Sequence, residues 1–110
     1  MVDDATLLRA AAARLTATAA RSTPGDWRVG GLLASRPEVV AHRPDGGTEH
    51  VAEARAPSAR WIAALSPAVA VPLADWLRAA ADSPSPDETA LRLARVLLDR
   101  LPPGQADAPV

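Results

Sequence analysis

The chain has 110 residues, a formal net charge of −1 and no cysteine. Its length suits one compact domain and exceeds the roughly 70–80 residues below which a fold commonly needs disulfides or a metal. Because cysteine is absent, disulfides, cysteine-based zinc sites and thiol nucleophiles are excluded. The nearly neutral charge provides no overall field that would attract DNA, RNA or an anionic membrane. Neither a nucleic acid nor a membrane is therefore expected as a partner.

The N-terminus and the hydropathy pattern favour a cytoplasmic protein. The chain opens with Asp3 and Asp4 where a secretory signal would carry positive charge, and no uninterrupted apolar run approaches the ~18 residues of a membrane span. All twelve basic residues are arginine, and alanine and proline are abundant. This composition is typical of a high-GC bacterial genome and does not indicate any particular binding site.

Residues 4–21 are predicted to form an amphipathic helix. Asp3 or Asp4 can cap its N-terminus, and Pro24 and Gly25 favour a turn that ends it. The helix contains more alanine than a small sheet and two other helices can cover, which predicts a homodimer with Ala11 and Ala12 at the contact. Its apolar stripe follows a spacing of three to four residues and consists of Leu7, Leu8, Ala11, Leu15 and Ala19.

The segment 27–54 is predicted to form short antiparallel strands, including an extended stretch at Leu32–Ser35. The turn signal at residues 44–47 lies between two alternating runs, so Glu38–Arg43 and Thr48–Ala54 should pair as a hairpin. Counting back from a four-residue loop pairs Arg43 with Thr48. His50 then pairs with Ala41, which places His42 and His50 on opposite faces of the sheet.

Helical patterns return after Ala54. Pro57 can occupy the first turn of one helix, and Ser66 with Pro67 starts the next, in which Pro72 should cause a bend or a later start. The last helix is predicted from a capping box in which Ser85 is the N-cap and Glu88 the third helical residue. We therefore expect one α+β domain over residues 1–101, comprising an N-terminal helix, a three-stranded antiparallel meander and two to three C-terminal helices on one face of the sheet. Residues 102–110 are predicted to be a disordered tail.

Two short motifs resemble a known group of proteins. These are the segment 23–29, Thr-Pro-Gly-Asp-Trp-Arg-Val, and the segment 59–67, Ala-Arg-Trp-Ile-Ala-Ala-Leu-Ser-Pro, which leads into residues 73–77. With the preceding helix they resemble small uncharacterised proteins of actinobacteria and their phages, which are similar to the Ead-type early proteins of lambdoid phages. The resemblance covers roughly residues 5–82. It implies an accessory role, and it implies no catalytic residues.

Three groups of residues are of types that can form a chemical site, namely the histidines, the serines and the glycine pairs. His42 and His50, with Glu49 and Glu53 nearby, include the side chains of a zinc or iron site, but the predicted register separates the two rings, so we interpret them as exposed strand histidines. Most serines stand beside prolines or at helix starts, where turns and caps explain them. The glycine pairs at 30–31 and 46–47 lack the spacing of a phosphate-binding loop. No catalytic, cofactor-binding or metal-binding residue is assigned.

The three tryptophans, Trp27, Trp61 and Trp76, are predicted to be core residues because they are the only aromatic side chains. Trp61 and Trp76 should be buried together with three leucines, namely Leu73, Leu77 and Leu97. The function that follows is a non-enzymatic accessory module that binds another protein or itself. The alternatives are a small DNA-binding regulator, which would need a helix-turn-helix around Ser66 that reads bases poorly, and a binder of small molecules or metals at the hairpin.

Overall fold

The computed structural model describes residues 2–31 and 36–103, and it confirms the predicted α+β fold. An N-terminal helix precedes a three-stranded antiparallel sheet, and three further helices follow. The elements in chain order are α1 (Asp4–Arg21), β1 (Asp26–Gly30), β2 (Glu38–His42), β3 (Thr48–Glu53), α2 (Ala56–Ala64), α3 (Pro67–Ala81) and α4 (Glu88–Arg100). The extended stretch predicted at Leu32–Ser35 and most of the predicted tail, from Gly104 onward, lie outside the described residues.

The chain divides into two compact units. The helical unit contains Met1–Arg21 and Ala70–Val110, and the sheet unit contains Ser22–Val69, so the boundary falls inside α3. The assignment of residues 1–101 to one domain stays a prediction. Each unit has its own pattern of burial.

The helical unit is held together by alanine-rich helix faces. Helix α1 packs against α4, and the Asp3 carboxylate caps α1 by accepting a 2.7 Å hydrogen bond from the Thr6 N–H, which lowers the pKa of Asp3. Small side chains allow helix axes to approach closely, so many dispersion contacts form although each buried side chain is small. The buried cluster consists of Leu8, Ala11, Ala12, Ala74, Leu77, Ala81, Ala90, Leu91 and Ala94.

This cluster corrects the predicted dimer surface. Ala11 and Ala12 are completely buried inside the fold, so they are not available to a second copy. These two alanines of α1 serve close packing within the chain. A homodimer stays a prediction, and its contact does not consist of these two residues.

Helix α4 begins at Glu88, two residues later than predicted. The N-cap is Asp87, whose carboxylate accepts a 3.0 Å hydrogen bond from the Thr89 N–H. The predicted capping box at Ser85 is therefore wrong. Instead of bonding to Glu88, the Ser85 N–H donates to the Ser83 hydroxyl. The Glu88 carboxylate forms an ion pair with Arg95 at 3.2 Å.

Helix α3 begins at Pro67, as predicted. The Ser66 hydroxyl accepts a 3.3 Å hydrogen bond from the Ala68 N–H, and Ser66 is the buried polar residue of the sheet unit. Pro72 lies inside α3 and does not delay its start. Proline is therefore tolerated on this helix at a position whose side chain is exposed.

The sheet has the order β1-β2-β3, and α2 packs against β1 and β2. Strand β2 alternates cleanly, since Val39 and Ala41 are completely buried while Val40 is half-buried and His42 exposed. Ala59 of α2 is the matching buried residue on the helix. The sheet therefore has an inner face beneath α2 and a polar outer face.

The predicted hairpin forms, but its register differs by one residue. His42 pairs with Thr48, and His50 pairs with Val40 rather than with Ala41. The connection has five residues, 43–47, because Arg43 belongs to the turn rather than to β2, and its N–H donates a 2.8 Å hydrogen bond to the Gly47 carbonyl oxygen. The consequence is that His42 and His50 lie on the same face of the sheet, and the prediction of opposite faces is wrong.

The predicted burial of Trp61 and Trp76 is also wrong. Their exposed fractions are 69% and 45%. Each lies beside a stripe of smaller residues that faces inward: on α3 these are Ala70, Ala74, Leu77 and Ala81. Of the leucines expected with them, Leu77 is in the core, Leu97 packs against it and Leu73 is half-buried.

Candidate functional site

The two histidines lie together on the outer face of the sheet without forming a metal site. The Nδ1 atom of His50 is 2.6 Å from a carboxylate oxygen of Glu38, and both side chains reach solvent. In the described ranges, no group of three or more histidine, aspartate and glutamate side chains is arranged to hold a metal ion. The contact between His50 and Glu38 is exposed to solvent and contributes little to stability.

Three of the serines and glycines singled out from the sequence, Ser66, Ser83 and Gly46, have structural roles. Ser66 and Ser83 accept hydrogen bonds from nearby backbone N–H groups. Gly46 has φ +88° in the hairpin turn, a conformation that favours glycine. Ser35 lies outside the described residues.

Trp27 differs from the other two tryptophans. It lies on β1 opposite Ala41, it is half-buried, and its indole N–H donates a 2.9 Å hydrogen bond to the Thr23 carbonyl oxygen. An indole whose N–H is satisfied by backbone is a structural residue. Trp27 therefore has the anchoring role that was expected of all three.

Helix α2 presents large apolar side chains to solvent. It starts with Pro57 in its first turn, and its inward stripe consists of small or medium side chains, with Ala59 fully buried and Ile62 half-buried. Trp61 lies two residues after Ala59, which is about 200° around the helix and hence on the opposite side. Leu65, one turn after Trp61, is 54% exposed. The outer face of α2 is defined here as Pro57, Arg60, Trp61, Ala64 and Leu65, all of them exposed.

The charge on this helix has one sign. Arg55 at the N-cap and Arg60 within the helix are its charged residues, and α2 contains no aspartate or glutamate. In residues 2–31 and 36–103, neither guanidinium has an ion-pair or hydrogen-bond partner. The outer face of α2 therefore combines apolar area with uncompensated positive charge.

Helix α3 has a comparable apolar surface with a different charge. Val71, Pro72 and Trp76 are exposed. The nearby Arg78 is already engaged, since it pairs with Asp75 at 3.5 Å and donates to Thr16 at 3.3 Å. The α3 surface is therefore apolar and locally neutral. Val71, Pro72 and Asp75 are among the residues that the second helix of a helix-turn-helix would present, and none of them carries a positive charge that could neutralise a phosphate.

The sequence contains a signal for the outer face of α2. The spacing Ala59, Ile62 and Ala63 defines one stripe of α2, and Pro57, Trp61 and Leu65 define a second. A nine-residue helix with two apolar stripes can bury only one of them on a sheet. Choosing the stripe with the larger side chains as the buried one led to the wrong prediction.

No single described helix combines the length and the hydropathy of a membrane span. Helices α2 and α3 pass that test only when they are taken as a pair across the break after Ala64. Comparisons with protein-family models, with curated proteins and with solved structures find no match to the chain. The resemblance to Ead-type early proteins stays a prediction.

Proposed function

We propose that the chain is a non-enzymatic accessory module that binds another protein, of the phage-derived kind that the resemblance implies. The observation that carries this proposal is the exposure of Trp61 and Trp76, the largest side chains in the protein. Exposing an indole leaves its apolar area in water, and burial of such area contributes about 25 cal/mol per Å². A partner that covers these rings regains that free energy on binding.

Tryptophan supports a protein partner more than most exposed residues do. Alanine scanning of protein interfaces finds tryptophan, tyrosine and arginine enriched among the residues that dominate affinity. The outer face of α2 places an arginine directly beside an exposed tryptophan. The resemblance adds an accessory role in a phage-related process, which no described contact specifies.

The test is affinity purification from extracts of the source organism with wild-type protein and matched variants. We expect at least one protein to be retained by the wild type and lost by the double variant Trp61→Ala, Trp76→Ala. Val96→Ala is the control, because Val96 of α4 is 50% exposed and its truncation should not affect retention. Circular dichroism should show the same helix content in all three proteins.

Two outcomes contradict the proposal. The first is that no protein depends on the tryptophans for retention. The second is recovery of nucleic acid whose affinity falls steeply with salt, which would support the DNA-binding alternative. Nuclease treatment of the extract separates a directly bound protein from one that is held through nucleic acid.

A further inference from the structure

The outer face of α2 exposes two large apolar side chains on one side of the helix. Trp61 and Leu65 are one helical turn apart on the same side, and both are more than half exposed. The indole N–H of Trp61 makes no hydrogen bond with any described residue, in contrast to the N–H of Trp27. The face therefore offers an apolar ridge and an available hydrogen-bond donor.

Charge determines which occupant suits this ridge. Arg60 precedes Trp61 directly, Arg55 stands at the start of the helix, and neither is paired within the described residues. A carboxylate brought beside Arg60 while Trp61 is being covered would form a charge-assisted contact in an environment that excludes water, where it is stronger than on an open surface. Basic or neutral segments would lack that contact.

We propose that the outer face of α2 binds an acidic segment of another protein, one that carries aspartate or glutamate next to apolar anchor residues. This rests on the proposed function and adds the chemical class of the partner. A membrane surface fits less well, because α2 contributes one arginine, Arg60, and its N-cap one more, Arg55, whereas helices that lie in a bilayer interface carry a larger apolar face and many basic residues. The α3 surface is not part of the proposal, since its arginine is already paired.

The probe is a displayed library of random peptides of about sixteen residues, the length of roughly four helical turns. Selection is carried out on wild-type protein after depletion on the Trp61→Ala variant, so that the retained peptides depend on this side chain. We expect the selected peptides to be enriched in aspartate and glutamate and to carry leucine, phenylalanine or tryptophan beside them. Peptides selected without acidic enrichment would overturn the proposal.

The affinities of the selected peptides are then measured with charge-matched variants. Arg60→Glu should weaken binding by at least about tenfold, the equivalent of 1.4 kcal/mol. Arg92→Glu makes the same charge change at an exposed, unpaired arginine of α4 and should leave the affinity within about twofold. Equal losses in the two variants would show a non-specific effect of net charge and would overturn the proposal.

A second matched pair tests the apolar ridge. Trp61→Ala should weaken binding by about tenfold or more, whereas Trp76→Ala, at the exposed tryptophan of α3, should have no effect. The unfolding midpoint of each variant shows that the fold is retained, as both side chains are exposed. If Trp76→Ala were equally damaging, the site would not be the outer face of α2.

Two further occupants are outcomes of the same test. Adsorption to phosphatidylglycerol vesicles that Trp61→Ala abolishes would assign the face to a membrane, and Trp61-dependent self-association in sedimentation equilibrium would assign it to a second copy. Either result would overturn the acidic partner. If the selection yields no Trp61-dependent acidic peptide while the purification above still retains a protein, the partner class is wrong and the proposed function stands.

Discussion

The helical unit and the sheet unit differ in the number of helices that bury an apolar stripe. In the helical unit, the apolar stripes of α1, α3 and α4 pack against one another, and alanines make up most of the buried residues around Leu8 and Leu77. In the sheet unit, one helix packs on one face of the sheet, against β1 and β2, and the buried apolar side chains of its described part are Val39, Ala41 and Ala59. A helix with two apolar sides therefore has one side left over in the sheet unit.

This comparison shows that side-chain size does not determine burial in this protein. Tryptophan is the largest residue in both units, yet Trp61 and Trp76 are exposed while alanines beside them are buried. Close helix packing rewards small residues, since many short-range contacts form when backbones approach. Within the described part of the chain, Trp61 and Trp76 lie on the sides of their helices that stay open to solvent.

The largest effect is expected from placing a charge in the helical core. Ala11→Glu should destabilise the protein by about 4 kcal/mol or more, because a carboxylate would be buried without a partner. Ala13→Glu is the control, since Ala13 is exposed on the same helix. Guanidinium unfolding monitored by circular dichroism measures both. Equal stability of the two variants would mean that α1 does not use this stripe for packing.

A truncation on α3 compares its two sides directly. Leu77→Ala should cost about 2–5 kcal/mol, because Leu77 is fully buried and its loss leaves a cavity. The adjacent Trp76→Ala removes a larger side chain and should cost less than about 1 kcal/mol, as this ring is exposed. Urea unfolding curves give both values. The reverse order would restore the sequence-based expectation that Trp76 is a core residue.

The start of α4 provides a smaller effect with a clear alternative. Asp87→Ala should destabilise the protein by about 1 kcal/mol, since the hydrogen bond to the Thr89 N–H is lost. Ser85→Ala should be within about 0.3 kcal/mol of wild type, because its hydroxyl caps no helix in this structure. Thermal unfolding of both variants distinguishes the two N-caps. A larger loss for Ser85→Ala would support the capping box.

The outer face of the sheet should show the smallest effect. His50→Ala removes an exposed contact with Glu38 and should change stability by less than about 0.5 kcal/mol at neutral pH. On the inner face, Val39→Ala removes a completely buried side chain and should cost about 2 kcal/mol. If the His50 variant were the more damaging one, the assignment of the two faces would be reversed.

The sequence was sufficient for features that depend on local chemistry. Helix α1 has the predicted bounds, α3 starts at Ser66 and Pro67, and the hairpin forms where glycines follow Asp45. The predicted register is wrong because Arg43 belongs to the turn, which therefore begins one residue earlier than loop counting assumes. Burial of Trp61 was misjudged because two stripes on α2 competed, and the choice depends on how closely α2 approaches the sheet, which no local pattern encodes.

The solvent exposure of each indole in the free protein tests most directly whether the outer face of α2 is open to solvent. Biosynthetic 5-fluorotryptophan gives one fluorine resonance per ring, assigned by single replacement with phenylalanine, and the shift between H₂O and D₂O reports contact with solvent. The exposed fractions of the three rings predict the largest shift for Trp61, an intermediate one for Trp76 and the smallest for Trp27. A shift for Trp61 as small as that for Trp27 would contradict this prediction, because the outer face of α2 would then already be covered.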